Sequence, residues 1–186
     1  FISHLFVRVW YIFHKNINDK KMWDYNLQHF KFSHLLLVVV ILEILLENLK
    51  MNEAVEHRGG CHCGKVRWRV EAPSSVVCWK CNCSICCMRG TLSFTVPSEK
   101  FELLENSGNF ISTYAFASKT AKHTFCKICG ITSFYTPRSN PHGVAVTVAC
   151  LHPGTLKNVE VRHYDGKNWE NSFRQSEISS CPNVAE

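Results

Sequence analysis

The sequence predicts a mainly β domain built around bound metal, and three observations carry that prediction. Short stretches rich in β-branched and aromatic residues follow one another from Gly59 onward. Clusters of Gly, Pro, Asn and Ser punctuate them as turns. Seven of the 11 cysteines fall into three tight groups, Cys61-x-Cys63, Cys81-x-Cys83-x-x-Cys86 and Cys126-x-x-Cys129. A chain of 186 residues is long enough for one domain with a real core, plus an appendage.

Along the chain, residues 1–50 come first and are a different kind of sequence, without a single cysteine. Their apolar stretch from Leu35 to Leu46 is interrupted by Glu43 and is shorter than the roughly 20 residues a membrane span needs. No small-residue cleavage site follows it, so it is not an ordinary secretory signal. Two readings fit: an interfacial or packing helix from about Ser33 to Lys50, or an upstream extension preceding a start at Met51. No membrane-spanning segment is expected.

The alternation of Val66, Trp68 and Val70 with Lys65, Arg67 and Arg69 is that of a half-buried strand. Further short strands are expected at Thr91–Val96, Phe101–Leu104, Ile111–Phe116, Ile131–Tyr135, Val144–Ala149 and Val159–Tyr164, separated by Pro97-Ser98, Asn106-Ser107-Gly108, Pro137 to Pro141 and Pro153-Gly154. From Gly59 onward, only Ser84–Arg89 and Trp169–Gln175 read as helices. Cys78, set among valines, reads as a core strand residue. Trp68, Phe94, Phe116, Phe125, Phe134 and Trp169 read as core and hinge aromatics, since no basic face interleaves them as a base-stacking platform would require.

An odd cysteine count fits a disulfide framework poorly. The single residue between Cys61 and Cys63 would strain a disulfide ring, whereas two thiolates there can share a metal. A reducing compartment, cytoplasmic or nuclear, follows. A structural zinc takes four protein ligands, while a catalytic zinc keeps three and leaves one position open. Seven clustered thiols therefore divide naturally into one closed and one open site. Cys81-Asn-Cys83-Ser-Ile-Cys86 packs three thiols into six residues, so one segment can bind a metal from one side. An open zinc of this kind lowers the pKa of a bound water or thiol, which suits chemistry on a small thiol and its carbon–sulfur adducts. Cys126-Lys-Ile-Cys129-Gly130 has the form of a zinc knuckle, and Cys61-His-Cys63-Gly64 likewise ends in Gly.

The formal charge of +6 treats every thiol as neutral. Residues 51–186 hold 15 Lys+Arg against 11 Asp+Glu, and seven thiolates with two divalent ions bring that region near +1. No dense basic run is present, so charge gives no case for nucleic-acid binding.

The runs GGCHCGKVRW, CNCSIC, HTFCKICGITSFYTPRSNP and YDGKNWE, in that order, resemble the glutathione-dependent formaldehyde-activating enzyme family. Within it, the block HTFCKICGITSFYTPRSNP is most similar to the animal centromere protein V branch. The resemblance covers roughly His57 to Gln175 and implies a zinc domain over residues 57–176, with 177–186 as a tail. It implies an Mss4-like fold of zinc-stabilised antiparallel sheets with two Zn²⁺ per chain. Cys61, Cys63, Cys126 and Cys129 would hold a structural zinc, and Cys81, Cys83 and Cys86 a catalytic-type zinc. The implied activity is that of a carbon–sulfur lyase acting on S-(hydroxymethyl)glutathione, with glutathione and formaldehyde as partners. Arg138, in a Pro-bounded loop, can pair with a glutathione carboxylate or bond backbone carbonyls as a structural loop Arg. His62 and His123 flank zinc cysteines but are not needed as ligands.

Cys87 stands where the family usually has a basic residue; it is either a competitor of Cys86 or a spare thiol. Cys150 packs in the core or lies near the open zinc. Cys181 lies in a polar tail. The alternative function class is a non-catalytic, zinc-built interaction module of the centromere protein V type, with chromatin or microtubule partners. Residues 1–50, with six Lys+Arg against four Asp+Glu, offer nothing like a long basic arm for that role.

Overall fold

A computed structural model describes residues 36–46, 49, 53–176 and 178. The chain divides into two compact units, Phe1–Leu46 and Glu47–Glu186. In the first, residues 36–46 are helical, and the side chains of Leu37 to Leu42 and Ile44 to Leu46 are exposed. Both ends of the helix expected from Ser33 to Lys50 lie outside the described residues. No helix among the described residues is long and apolar enough to cross a membrane.

The second unit is mainly β. A three-stranded antiparallel sheet runs β1 (Ala54–Gly60), β2 (Arg67–Pro73), β5 (Phe101–Leu103) in the spatial order β1-β2-β5. A five-stranded sheet has the order β10-β3-β4-β9-β8, from β3 (Ser75–Cys81), β4 (Ser93–Pro97), β8 (Phe134–Tyr135), β9 (Gly143–Thr147) and β10 (Asn158–Tyr164). Strands β6 (Ile111–Tyr114) and β7 (His123–Cys126) form a separate antiparallel pair. The helices α1 (Ser84–Arg89) and α2 (Trp169–Gln175) fall where the sequence puts them.

Alternation along β2 does what its pattern predicts. Trp68, Val70 and Ala72 point into the core with Val66 beside them, while Arg69 and Glu71 face out. Outside, Arg69 pairs with Glu102 at 2.6 Å and Lys100 with Glu71 at 2.8 Å. Such exposed pairs add little stability; burial of Trp68, Phe94, Val76, Val96 and Val146 does most of the holding. Trp68 satisfies its indole N–H by donating to Ser133 Oγ at 3.1 Å.

Several strands are shorter than expected, each for a visible reason. Residues 131–133 are not strand, because the chain is still closing the knuckle, with the Cys126 amide donating to the Ile131 carbonyl at 3.0 Å. Beyond Thr147 the chain tightens into a 3-10 turn, Val148–Cys150. Strands β1 and β7 had weaker sequence signals because each buries a histidine on its inner face. His57, fully buried, bonds Thr155 Oγ1 at 2.7 Å and the Ala72 carbonyl at 3.1 Å. One pair departs from the antiparallel rule: β10 runs parallel to β3, placing Tyr164 beside Cys81.

Candidate metal centres

Four sulfurs meet in one place. Strand β1 ends at Gly60, and the turn after it carries Cys61 and Cys63; strand β7 ends at Cys126, and the turn after it carries Cys129. The two turns are wired alike: the Cys61 amide donates to the Val66 carbonyl at 2.9 Å, and the Cys126 amide to the Ile131 carbonyl at 3.0 Å. Gly64 and Gly130 both take φ of +74°, a left-handed conformation that glycine adopts at little cost. The sulfurs of all four cysteines lie within 4.8 Å of one another. Cys61 and Cys63 are 3.5 Å apart, and Cys63 and Cys126 3.6 Å.

These distances suit a tetrahedral metal, because Zn–S bonds of about 2.3 Å place sulfurs roughly 3.8 Å apart. Backbone amides aim at the sulfurs: Val66 N–H donates to Cys61 Sγ at 3.2 Å and Ile128 N–H to Cys126 Sγ at 3.4 Å. Against the cost of desolvation, the N–H groups of Ile131 and Cys63 help bring Cys129 down to about 6. Such donors stabilise thiolates. Cys61 and Cys126 are themselves members of the hydrophobic core, so this group is built into the packing of the domain.

The second group differs in kind. Cys81 ends β3, Cys83 precedes α1, and Cys86 lies inside it, so a strand end and one helical turn bring three sulfurs within 4.8 Å. Cys83 N–H donates to Cys81 Sγ at 3.4 Å. None of the three is fully buried. Contacts from Cys81, then Cys86, hold the Cys83 thiol far below its ordinary value, while contacts from Cys81 and Cys83 push Cys86 far above. Three crowded sulfurs cannot all be thiolates without a cation among them. Both groups can hold a metal ion, and their donor chemistry fits zinc.

The three-cysteine group opens onto a cavity of about 190 Å³ that Cys81, Cys83 and Cys86 help to line, and no member of the four-cysteine group lines it. Its walls include the rings of Trp79, Phe116, His123, Tyr135, Tyr164 and Trp169. Phe116, His123 and Tyr135 form a stack, with ring centroids 5.6 and 5.3 Å apart and planes inclined by 19° and 16°. His123 is buried, and burial followed by the charge of Arg89 lowers its pKa, favouring neutral imidazole. Tyr135 OH lies 3.4 Å from Ser93 Oγ; burial, then the charge of Cys86, raises the phenol above its ordinary range and keeps it protonated. Neither ring had a clear site signal in the sequence. Of the aromatics expected in the core or at hinges, Phe116 and Trp169 line the cavity, and Phe116 is exposed and so no core residue.

Arg138 also lines the cavity, stacked 3.5 Å over the Trp169 ring and bonded to Glu170 at 2.6 Å. The rest of the cysteines separate cleanly. Cys78 is fully buried, and burial pushes its thiol up to about 12. Cys87 is exposed and lies outside both sulfur groups. Cys150 stands beside the closed group: burial, then the charges of Cys61 and Cys129, push it up to about 11. His62 is exposed, and Cys181 lies outside the described residues.

A family model described as glutathione-dependent formaldehyde-activating enzyme matches residues 56–168. The chain belongs to that family. A crystal structure of a protein from Rhodobacter sphaeroides is similar at 34% identity with a TM-score of 0.50, covering 56% of this chain and 99% of that one. The mainly β architecture, few short helices and paired cysteine groups are those expected of the family's zinc-stabilised, Mss4-like fold.

Proposed function

We propose that the domain holds two zinc ions and makes or breaks the carbon–sulfur bond of thiol–formaldehyde adducts, with S-(hydroxymethyl)glutathione as substrate. Cys61, Cys63, Cys126 and Cys129 hold the structural ion; Cys81, Cys83 and Cys86 hold the other. One observation carries the reading: the three-cysteine group, and not the four-cysteine group, borders the cavity. Zinc on three thiolates supplies Lewis acidity and an open position that favours ionisation of an incoming thiol.

In the synthetic direction the thiol gives up its proton and the sulfur lone pair attacks the formaldehyde carbon. The C–S bond forms, the carbonyl π pair moves to oxygen, and that oxygen takes up a proton. The reverse step breaks the C–S bond and returns the hydroxyl proton. Tyr135, held protonated beside Ser93, is the group that holds a proton for that oxygen. His123 keeps Tyr135 in place by stacking. Arg138 exchanges Glu170 for a carboxylate of glutathione.

The test is calorimetric titration of the zinc-loaded protein with glutathione, wild type beside Cys83→Ser, together with formaldehyde release from the adduct. Wild type is expected to bind and turn over, and Cys83→Ser to do neither while staying folded. Absence of wild-type binding at millimolar glutathione would sink the enzyme reading. An interaction module of the centromere protein V type would then take its place, with partner binding that survives Cys83→Ser.

A further inference from the structure

The closing run YDGKNWE contributes a turn whose position the proposed chemistry leaves unexplained. Parallel pairing sets Tyr164, the last residue of β10, opposite Cys81, the last of β3. The chain leaving β10 therefore crosses directly over the three-cysteine group. Gly166 lies against it so closely that a Cβ there would fall 2.4 Å from Cys81 Sγ and 2.8 Å from Cys83 Cβ. Both distances are far inside van der Waals contact, which begins near ~3.5 Å. No side chain fits at that position unless a cysteine moves.

Asn82, the residue between two of the cysteines, holds this turn from both sides. Its Nδ2 donates to Asp165 Oδ1 at 2.8 Å, and its Oδ1 accepts the Lys167 N–H at 3.0 Å. Its own amide donates to the Tyr164 carbonyl at 3.1 Å. Three hydrogen bonds thus straddle Gly166. The same group lines the cavity that His123 and Tyr135 also line.

We propose that Asn82 and Gly166 are positioning residues for the three-cysteine metal centre. Asn82 clamps the Asp165–Lys167 turn, and the turn presses the bare backbone of Gly166 onto the Cys81–Cys83 edge. The sulfurs are thereby held in one arrangement at the edge of the cavity that Tyr135 also lines. The inference rests on the reading of this group as a metal site, and the experiment separates the two.

Full-length wild type, Asn82→Ala and Gly166→Ala are titrated with Zn²⁺ against a competing chelator and with Co²⁺, whose absorption reports ligand geometry. Both variants are expected to bind the first metal as wild type does and the second about 10–100-fold more weakly, as losses around metal ligands commonly do. Their cobalt spectra for the second ion should shift. The exchange N82D/D165N restores one donor and one acceptor across the turn, and is expected to recover affinity and spectrum. A merely structural role would lower the melting temperature without moving the spectrum. Asn82→Ala that is folded, with wild-type affinity for both ions and an unshifted spectrum, would overturn the proposal even if Gly166→Ala fails to fold. Wild type that binds a single metal would overturn the metal reading itself, and this inference with it.

Discussion

Replacing Cys126 with serine is expected to unfold the second unit, whereas replacing Cys83 is not, and the structure gives the size of the difference. Cys126 is 2% exposed, sits in the hydrophobic core and anchors the knuckle through its amide. Structural zinc contributes roughly 10–16 kcal/mol of folding free energy in zinc-finger peptides. Losing a quarter of that, with a buried hydroxyl left short of partners at about 1–3 kcal/mol, gives a total of roughly 4–7 kcal/mol. Net stabilities of domains run about 5–15 kcal/mol, so the loss is comparable with the whole. Even 4 kcal/mol lowers the melting temperature by about 8–16 °C in a chain of this size. Cys83 is only half-buried, and its group closes no part of the core. Cys83→Ser should lose one metal and melt within a few degrees of wild type. Elemental analysis with thermal denaturation of both variants checks this. A Cys126→Ser protein that keeps two metals and melts like wild type would refute the assignment of a closed structural site.

Other outcomes follow from single contacts. Trp68→Phe removes the indole donor to buried Ser133 and should cost about 1–3 kcal/mol in urea denaturation without changing metal content. Arg138→Ala should raise KM for the glutathione adduct by a few-fold to about tenfold with a smaller effect on kcat, because uniform substrate binding is lost; an unchanged KM would remove Arg138 from substrate binding. Tyr135→Phe should lower kcat by about 10²–10⁴-fold while leaving both metals bound, the range typical of a lost acid–base group, and full activity would exclude the phenol from proton transfer. A chain beginning at Met51 should fold and bind two metals, since residues 47–186 form a compact unit of their own; failure to fold would show that the preceding residues contribute to it.

Much of this was legible in the sequence because it rests on short-range rules. Strand β2 follows from alternation, and α1 and α2 from local pattern, since neither depends on distant partners for its register. The cysteine groups were legible for the same reason: each knuckle is a turn of a few residues with its glycine in place. Strand β1 was obscured by His57, which is polar in sequence but fully buried, with partners supplied by Thr155 and by carbonyls of the neighbouring strand. Phe116 and Trp169 are apolar rings, and apolarity alone does not separate a core from a cavity wall. Arg138 pairs with a residue 32 positions away, so its place depends on long-range folding.

On the proposed function, the two sulfur groups would divide a metal's structural work from its chemistry within one fold. In the closed group, ligands come from two strand ends far apart in sequence, so a bound metal joins β1 to β7 and its loss is felt through the core. In the open group all three ligands come from six consecutive residues, and a metal there joins little to anything. Ligands so local should leave the domain stable without the ion, but by themselves they would also leave the sulfurs free to rearrange, which would spoil an open coordination position. The constraint must come from elsewhere in the chain. The parallel pairing of β10 with β3 brings it, by laying a clamped glycine turn across the group and placing α2 with Trp169 in the cavity wall. That one parallel pair, which strand alternation does not reveal, is what ties the C-terminal segment to the three-cysteine group.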